Sequence, residues 1–326
     1  MKIDQPISIF AIIVTFNGSK TISDCLDSLV NSGQPLQTIV IDNSSTDNTR
    51  SLIQKYQDLI VFLLDKNIGF GQANNIGLKY ALEHGADFVF LLNQDAIIKP
   101  DTIELLIDIA ANNPEFGILS PIHLNGDGSQ IDYNLSNYIF RGNQRFISDC
   151  YFNNLQVCYS VPFINAAAWL ISKECLMRVG GFDELFFMYG EDNDFCHRAI
   201  LNNFKIGLVP RSVIYHKRII NLPENTGWSD VKQKAKREAV LATVDIISSR
   251  KKLIKAVLFW AIDNNSRIGK QLINRNWKEI AVQLLAKWFL YSKLPRIWKH
   301  RKDIHKIAQD SMNKLNPDQR RFKLVS

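Results

Sequence analysis

Little in this chain points to a disulfide scaffold, a membrane span or a nucleic-acid module. Its 326 residues include five cysteines, Cys25, Cys150, Cys158, Cys175 and Cys196, and no two have the close spacing of a zinc knuckle or a small disulfide framework. That usage fits a reducing compartment. No apolar run reaches the roughly 20 residues that cross a bilayer; the runs at 7–16 and 256–262 are typical in being short. Lys2 precedes the first of these, but no small-residue cleavage site follows, so no secretory leader is expected. The glycine-rich stretch at 69–77 is not a dinucleotide fingerprint and lacks the lysine of a phosphate loop. With no helix-turn-helix, zinc or RNA-recognition signature, nucleic acid is set aside as a partner. A soluble or peripheral cytoplasmic protein is expected.

Charge divides the chain. Residues 1–226 hold 16 Lys and Arg against 24 Asp and Glu, a net of −8, whereas residues 227–326 hold 23 against 8, a net of +15. An acidic globular body, residues 1–225, is expected to carry a basic helical region, residues 226–326, for an anionic partner. In the body, short unbroken apolar runs alternate with helical patterns. The runs lie at 7–15, 38–41, 60–64 and 88–92, and helices are expected at 21–29, 48–56, the stretch ending near Glu83, and 100–111. Continuous apolar strands alternating with helices predict a mostly parallel, doubly wound α/β sheet with flanking helices. Residues 125–158 lose this pattern and read as a loop or small hairpins. Beyond 225, residues 232–249 look helical. In 277–291, Ile280, Leu284, Leu285, Trp288 and Phe289 fall on one amphipathic face. That region reads either as helices packed on the body with a solvated basic face or as a surface for anionic lipid.

Ligands of open α/β sheets bind beyond the carboxyl ends of the strands, so polar residues just after the apolar runs are the site candidates. Asn93-Gln94-Asp95 follows one run, Asp42 to Asp47 another, and His216 a third. Asp95 could meet a ligand or cap the next helix, and a lone histidine is more often structural. Glycines at 69–77 serve either a tight strand-to-helix turn or a pyrophosphate at the helix start. Glu191, Asp192 and Asp194 follow the aromatic run Phe186-Phe187-Met188-Tyr189. Acids beside aromatic surface are partly desolvated and suited to general-base work, though such acids also cap helices. Helical spacing puts Asp192 and Phe195 on one face and Glu191 and Asp194 on another, where they would hold the loop.

Five motifs in order then resemble one family: Ile13-Val14-Thr15-Phe16-Asn17; Val40 through Asp47; Asn67-Ile68-Gly69-Phe70 with Asn75-Ile76-Gly77; Leu92-Asn93-Gln94-Asp95; and Gly180-Gly181-Phe182-Asp183 with Gly190-Glu191-Asp192. Residues 7–220 resemble family-2 glycosyltransferases of GT-A fold, and most closely bacterial rhamnosyltransferase-like members. The resemblance implies that Asp42 reads the nucleobase imide, that Thr15 and Asn17 line the base and ribose pocket, and that Asn67, Gly69, Asn75, Asn93 and Gln94 help hold a nucleotide-sugar donor. Asp95 matches the last acid of the family's metal-binding motif for Mg²⁺ or Mn²⁺, with Asn93 standing where the first acid is expected. His216 matches an added metal ligand, Asp192 the catalytic base with Glu191 beside it, and Trp169 a floor for the sugar.

The resemblance thus implies an inverting, metal-dependent glycosyltransferase of cell-surface polysaccharide synthesis. Its donor would be dTDP-rhamnose or a UDP-sugar, and its acceptor a glycan on a polyprenyl diphosphate at the inner face of a membrane. A non-catalytic sugar-nucleotide-binding subunit, motivated by Asn93, and a nucleotidyltransferase are the alternatives. Oligomeric state, a homo-oligomer included, is left open.

Overall fold

The computed structural model describes residues 7–218, 228–249 and 253–312, apart from the side chains of 140–142, 228–229 and 305–312. Strand β1 (Ile9–Thr15) is buried along its whole length. It pairs in parallel with β2 (Gln37–Asp42) on one side and β4 (Phe88–Asn93) on the other. Strand β3 (Leu59–Leu63) extends the parallel half beyond β2.

Successive β1 side chains point to opposite faces, and both faces are covered. Phe10, Ile12 and Val14 pack with Ala73, Leu78 and Ala81 of α3 (Phe70–Glu83). Ile9, Ala11 and Ile13 pack with Ile22 and Leu26 of α1 (Ile22–Val30) and with Ile103 and Leu106 of α4 (Thr102–Asn112). This two-sided burial explains why the sequence shows apolar runs rather than alternation. Helix α3 lies so close to the sheet that a Cβ on Gly77 would come within 2.7 Å of Ile12 Cγ2. The approach accounts for a residue that costs about 1 kcal/mol in a helix interior relative to alanine.

Beyond β4 the sheet becomes mixed. The order is β3-β2-β1-β4-β8-β6-β9-β5, with β7 (Tyr159–Val161) also on β9. Strand β8 (Ala168–Ser172) runs antiparallel to β4 and β6 (Phe116–Asn125), and β6 runs parallel to β9 (Lys205–His216). The short β5 (Ala96–Ile98) leaves β4 immediately after Asp95 and pairs with the last residues of β9. Helix α2 (Thr49–Ile53) follows β2.

Three expectations are corrected. Residues 125–158 are largely helical, as α5 (Tyr133–Gly142) and α6 (Gln144–Tyr151). The side chains of Asp132 and Asn143 cap these helices by accepting backbone N–H groups of their first turns. Second, the run that ends at His216 is the last part of one long strand, residues 205–216, with an irregularity near Pro121 and Ile122 of its partner. Third, the basic region holds three helices, α9 (Trp228–Ser248), α10 (Leu253–Ile273) and α11 (Trp277–Met312). In α11 the buried stripe is Val282, Ala286, Leu290, Ile297 and Ile304, while Leu284 and Trp288 face outward. The stripe packs against α9 and against Leu185 and Phe186 of the body. The division expected at 225/226 falls outside the described residues.

Candidate active site

The parallel register sets Thr15 level with Asp42 and Val14 level with Asn93, so β1, β2 and β4 end on one rim. Above it lies a cleft of about 370 Å³ lined by residues 17–21, Asp47, Gln94 and Asp95. Side chains from different strands brace this rim. Gln94 Oε1 accepts from Thr15 Oγ1 at 2.5 Å and from the Phe16 N–H at 3.0 Å. Asn17 Oδ1 accepts from the Thr46 N–H at 2.9 Å, and the Asn17 N–H donates to Ser45 Oγ at 2.9 Å. Asp42 is fully buried, with Oδ2 2.6 Å from Arg50 Nε and the Ser45 N–H donating to the same carboxylate.

Asp95 and His216 come together because β5 turns back onto β9, pairing Ala96 with His216. His216 Nε2 lies 3.2 Å from Asp95 Oδ1 and 3.5 Å from Asn93 Nδ2. Arg218 Nε, which can only donate, is 3.3 Å from His216 Nδ1, so Nδ1 accepts and Nε2 carries the hydrogen toward Asp95. Asp132 stands behind, 3.0 Å from Arg218 Nε. Burial raises the Asp95 pKa, but the His216 hydrogen bond, with the Arg218 charge behind it, outweighs that, and the carboxyl sits below its usual range. Asp95 keeps a side chain 27% exposed at the rim, whereas His216 is buried.

Four expected donor contacts have other tasks. Asn75 is buried, and its amide is consumed by the Phe182 peptide: Oδ1 accepts from the N–H and Nδ2 donates to the carbonyl, each at 2.8 Å. It clamps the Gly180-Gly181-Phe182-Asp183 loop to α3. Trp169 is wholly buried opposite Leu91, stacked on Phe182 at 6.4 Å, and forms core rather than a sugar floor. Asn67 Oδ1 accepts from Asn43 Nδ2 and the Gly69 N–H, bracing the loop before α3. Gly69 has φ 89°, and a Cβ there would stand 2.1 Å from the Phe187 carbonyl oxygen, which also accepts the Phe70 N–H. Of its two open readings, the tight turn and close approach explain this glycine.

The acids after Gly190 start α8 (Glu191–Leu201). Phe195 joins Glu191 and Asp194 in the interior, whereas Asp192 is half-buried. Asp194 braces the loop as expected, through Arg198 at 2.8 Å and His300 at 2.6 Å. Glu191 does not, for its buried Oε2 has no hydrogen-bond partner among the described residues. Burial and then the neighbouring Asp192 charge push Glu191 up to about 8. Burial also raises Asp192, against hydrogen bonds from Asn193. Two adjacent carboxyls cannot both ionise cheaply, and the buried Glu191 is the one pushed strongly toward its protonated form.

The profile of the family described as "Glycosyl transferase family 2" matches residues 10–180, which span the rim, the cleft and the α3 loop. The chain is a family-2 glycosyltransferase. The transferase is 25% identical over 210 residues to the dTDP-rhamnosyl transferase RfbF of Shigella flexneri, covering 64% of this chain and 69% of that one. It is 26% identical over 207 residues to the N-acetylglucosaminyl-diphospho-decaprenol L-rhamnosyltransferase of Mycobacterium tuberculosis, covering 57% and 67%. In fold it resembles the mannosyltransferase PcManGT from Pyrobaculum calidifontis in complex with GDP-Man and Mn²⁺, with TM-score 0.54, 18% identity and coverage of 97% of this chain and 89% of that one. S. aureus TarS 1–349 with UDP-GlcNAc gives TM-score 0.53 at 19% identity, covering 77% and 69%. The transferase therefore has the GT-A fold, a mixed sheet whose parallel half carries the rim.

Among the described residues, no three His, Cys, Asp or Glu side chains converge as a self-sufficient metal site. Asp95 supplies one rim carboxylate, a partial set that fits a hard cation whose remaining ligands are phosphate oxygens and water; His216, expected as a second ligand, has Nδ1 accepting from Arg218 and Nε2 donating to Asp95, so it orients that carboxylate instead. Sequence reasoning missed Arg218, Asp132, Arg50 and His300. Arg218 was within reach of the two-residue strand period from His216, and Asp132 of a helix-cap reading. His300 lies more than a hundred residues from its partners and had no local signal.

Proposed function

We propose that the transferase is inverting and moves a sugar, with rhamnose from dTDP-rhamnose the first choice and a UDP-sugar the next, to a hydroxyl of a glycan on a polyprenyl diphosphate. The observation that carries this is the pair of adjacent acids at the head of α8, Glu191 buried and Asp192 half-buried, in a chain whose parallel rim ends in Asp95. The donor diphosphate would lie in the cleft, with Asp95, oriented by His216, holding Mg²⁺ or Mn²⁺ against it. The cation's chemistry is neutralisation of the charge that develops on the departing diphosphate. Asp192 accepts the proton of the acceptor hydroxyl as that oxygen bonds to the anomeric carbon. The carbon–oxygen bond to the nucleoside diphosphate breaks in the same step, inverting the centre. Glu191, protonated and buried, keeps a second negative charge away from the base.

The two rhamnosyltransferase relatives support the sugar and the lipid-linked acceptor. Charge and surface support a membrane-facing C-terminal region. Ile254, Leu258, Phe259 and Ile262 make an exposed apolar stripe on α10, and Arg296, Trp298 and Lys299 are exposed on α11. Among the described residues no helix is long and apolar enough to cross a membrane.

A thermal-shift screen of nucleotide sugars with and without Mn²⁺, followed by turnover of the best ligand, tests the reading. A ligand at 100 times its Kd adds about 2.7 kcal/mol of stability. Shifts with dTDP-rhamnose or a UDP-sugar that grow with Mn²⁺ are expected. Binding of nucleotide sugars with neither transfer nor donor hydrolysis would instead favour a non-catalytic subunit.

A further inference from the structure

The mechanism above leaves one buried titratable group unused. His300, on α11 in the basic C-terminal region, is only 7% exposed and lies between two carboxylates of the body. Its Nδ1 is 2.6 Å from Asp183 Oδ2, and its Nε2 is 2.6 Å from Asp194 Oδ1. Asp183 closes the Gly180-Gly181-Phe182-Asp183 motif and accepts the Leu185 N–H at 2.8 Å. Asp194 lies in the first turn of α8 and ties Arg198, whose Nη1 and Nη2 donate to the carbonyls of Val179 and Gly181 at 2.8 and 2.9 Å. The chain between Asp183 and Asp194 is the segment that carries Glu191 and Asp192. Its middle, Phe187 to Tyr189, is exposed, and Tyr189 and Gly190 both have positive φ. Tyr189, a non-glycine residue at positive φ, depends on surrounding contacts to keep that conformation.

We propose that His300 is a positioning residue for the reaction, an imidazolium staple from the C-terminal helices that closes both ends of the loop bearing the base. The inference rests on the reading of Asp192 as that base. Both ring nitrogens face carboxylates, which only the doubly protonated ring satisfies. Its charge is matched by Asp183 and Asp194. Arg198 stands behind Asp194, and Arg301 on the same helix turns away to the Ile246 and Ser249 carbonyls of the α9 end. Against the burial penalty, the two carboxylates hold His300 up at about 9, so the staple is closed at neutral pH. Pairing Asp194 with the imidazolium also leaves less uncompensated negative charge two residues from Asp192. The basic region on this account is part of the catalytic apparatus as well as a surface.

The experiment compares wild type, His300→Gln and Asp192→Asn in the full chain, measuring kcat, donor KM, the pH dependence of kcat and folding by circular dichroism. For His300→Gln the expected result is a kcat about 10- to 100-fold lower, the scale of a base displaced by about 1 Å. Donor KM should be unchanged, and the acidic limb of the kcat profile should move to higher pH. Wild-type kcat and limb in folded His300→Gln, with Asp192→Asn inactive, would overturn the staple alone. An active Asp192→Asn would overturn the reading of the base on which it rests. Equal loss in kcat and donor binding with an unmoved limb would mean a merely structural histidine. If His300→Gln does not fold, Asp183→Asn opens one end of the staple while leaving the Asp194 contact. A normal kcat and limb there would equally reject the proposal.

Discussion

Two histidines in this transferase sit between carboxylates, and they do different things. His216, at the end of β9, has Asp95 at 3.2 Å on one side and Asp132 at 3.9 Å on the other, but Arg218 is inserted on the Asp132 side and supplies the positive charge. His300 has no arginine between it and its carboxylates, so the ring itself is the cation. The first cluster opens through Asp95 onto the cleft, where a ligand can reach it. The second is closed, and its charges satisfy one another. A histidine flanked by acids therefore does not by itself specify a role; the position of the nearest arginine and access to the cleft decide it.

The strongest way to separate the clusters is to disable the residue each serves. Asp192→Asn keeps size and polarity but removes the proposed base on the His300 side, and kcat should fall roughly 10²–10⁴-fold with donor affinity and thermal stability little changed. Glu191→Gln, which keeps the neutral form, should cost far less; the reverse ranking in steady-state assays would move the base by one residue. Asp95→Ala strikes the His216 side. Its kcat should fall by about 10²–10³-fold, the scale of losing one electrostatic contact to developing charge. Nucleoside-diphosphate binding measured by calorimetry should also lose its strengthening by Mn²⁺. Full activity of the wild type in EDTA would remove the metal from the account.

Asn75→Ala sharpens the contrast between loop-holding and donor-holding. It strands the buried N–H and carbonyl of Phe182, at about 1–3 kcal/mol for a buried group left unpaired. Chemical denaturation should report that loss while donor affinity in the folded variant holds; weaker donor binding alone would restore Asn75 to the donor pocket. The pH dependence of stability tests the charge on His300. Its folded pKa of about 9 lies above the unfolded value near 6.5. Its contribution should be full below about pH 6.5 and disappear as pH rises through about 9. The midpoint difference between wild type and His300→Gln should shrink over that window, and a constant difference would speak against an imidazolium. The smallest effect concerns the outer surface. Lys299→Gln should weaken binding to anionic vesicles by about 1 kcal/mol, roughly fivefold, at low salt. If the wild type does not sediment with such vesicles, α10 and α11 serve packing alone.

Much of the rim was legible in advance because its signals are local. Apolar runs ending in polar residues locate β1, β2 and β4 and mark Asp95 and His216 as strand-end residues, while only the pairing of β5 with β9 joins the two. The helices at 133–151 were missed because their caps, Asp132 and Asn143, lie in a stretch of scattered polar residues whose apolar face is narrow. Trp169 and Asn75 were given to the donor because an indole and an amide are equally suited to a ligand or to the interior. Only burial, and the Phe182 peptide in the case of Asn75, distinguishes the two.

The sequence alone determined the alternation of strands and helices, the identity of the rim, the order of the motifs and the charge division between body and basic region. These follow from side-chain period and composition, which act over a few residues. Tertiary structure decided which acid is buried at the head of α8, which histidine stands behind the cleft carboxylate, and that a residue of α11 reaches the segment between Asp183 and Asp194. Those depend on burial and on distances between groups far apart in the chain. Electrostatic energy falls steeply when water separates two charges and rises when protein replaces it, and no local pattern of residues records where water is excluded.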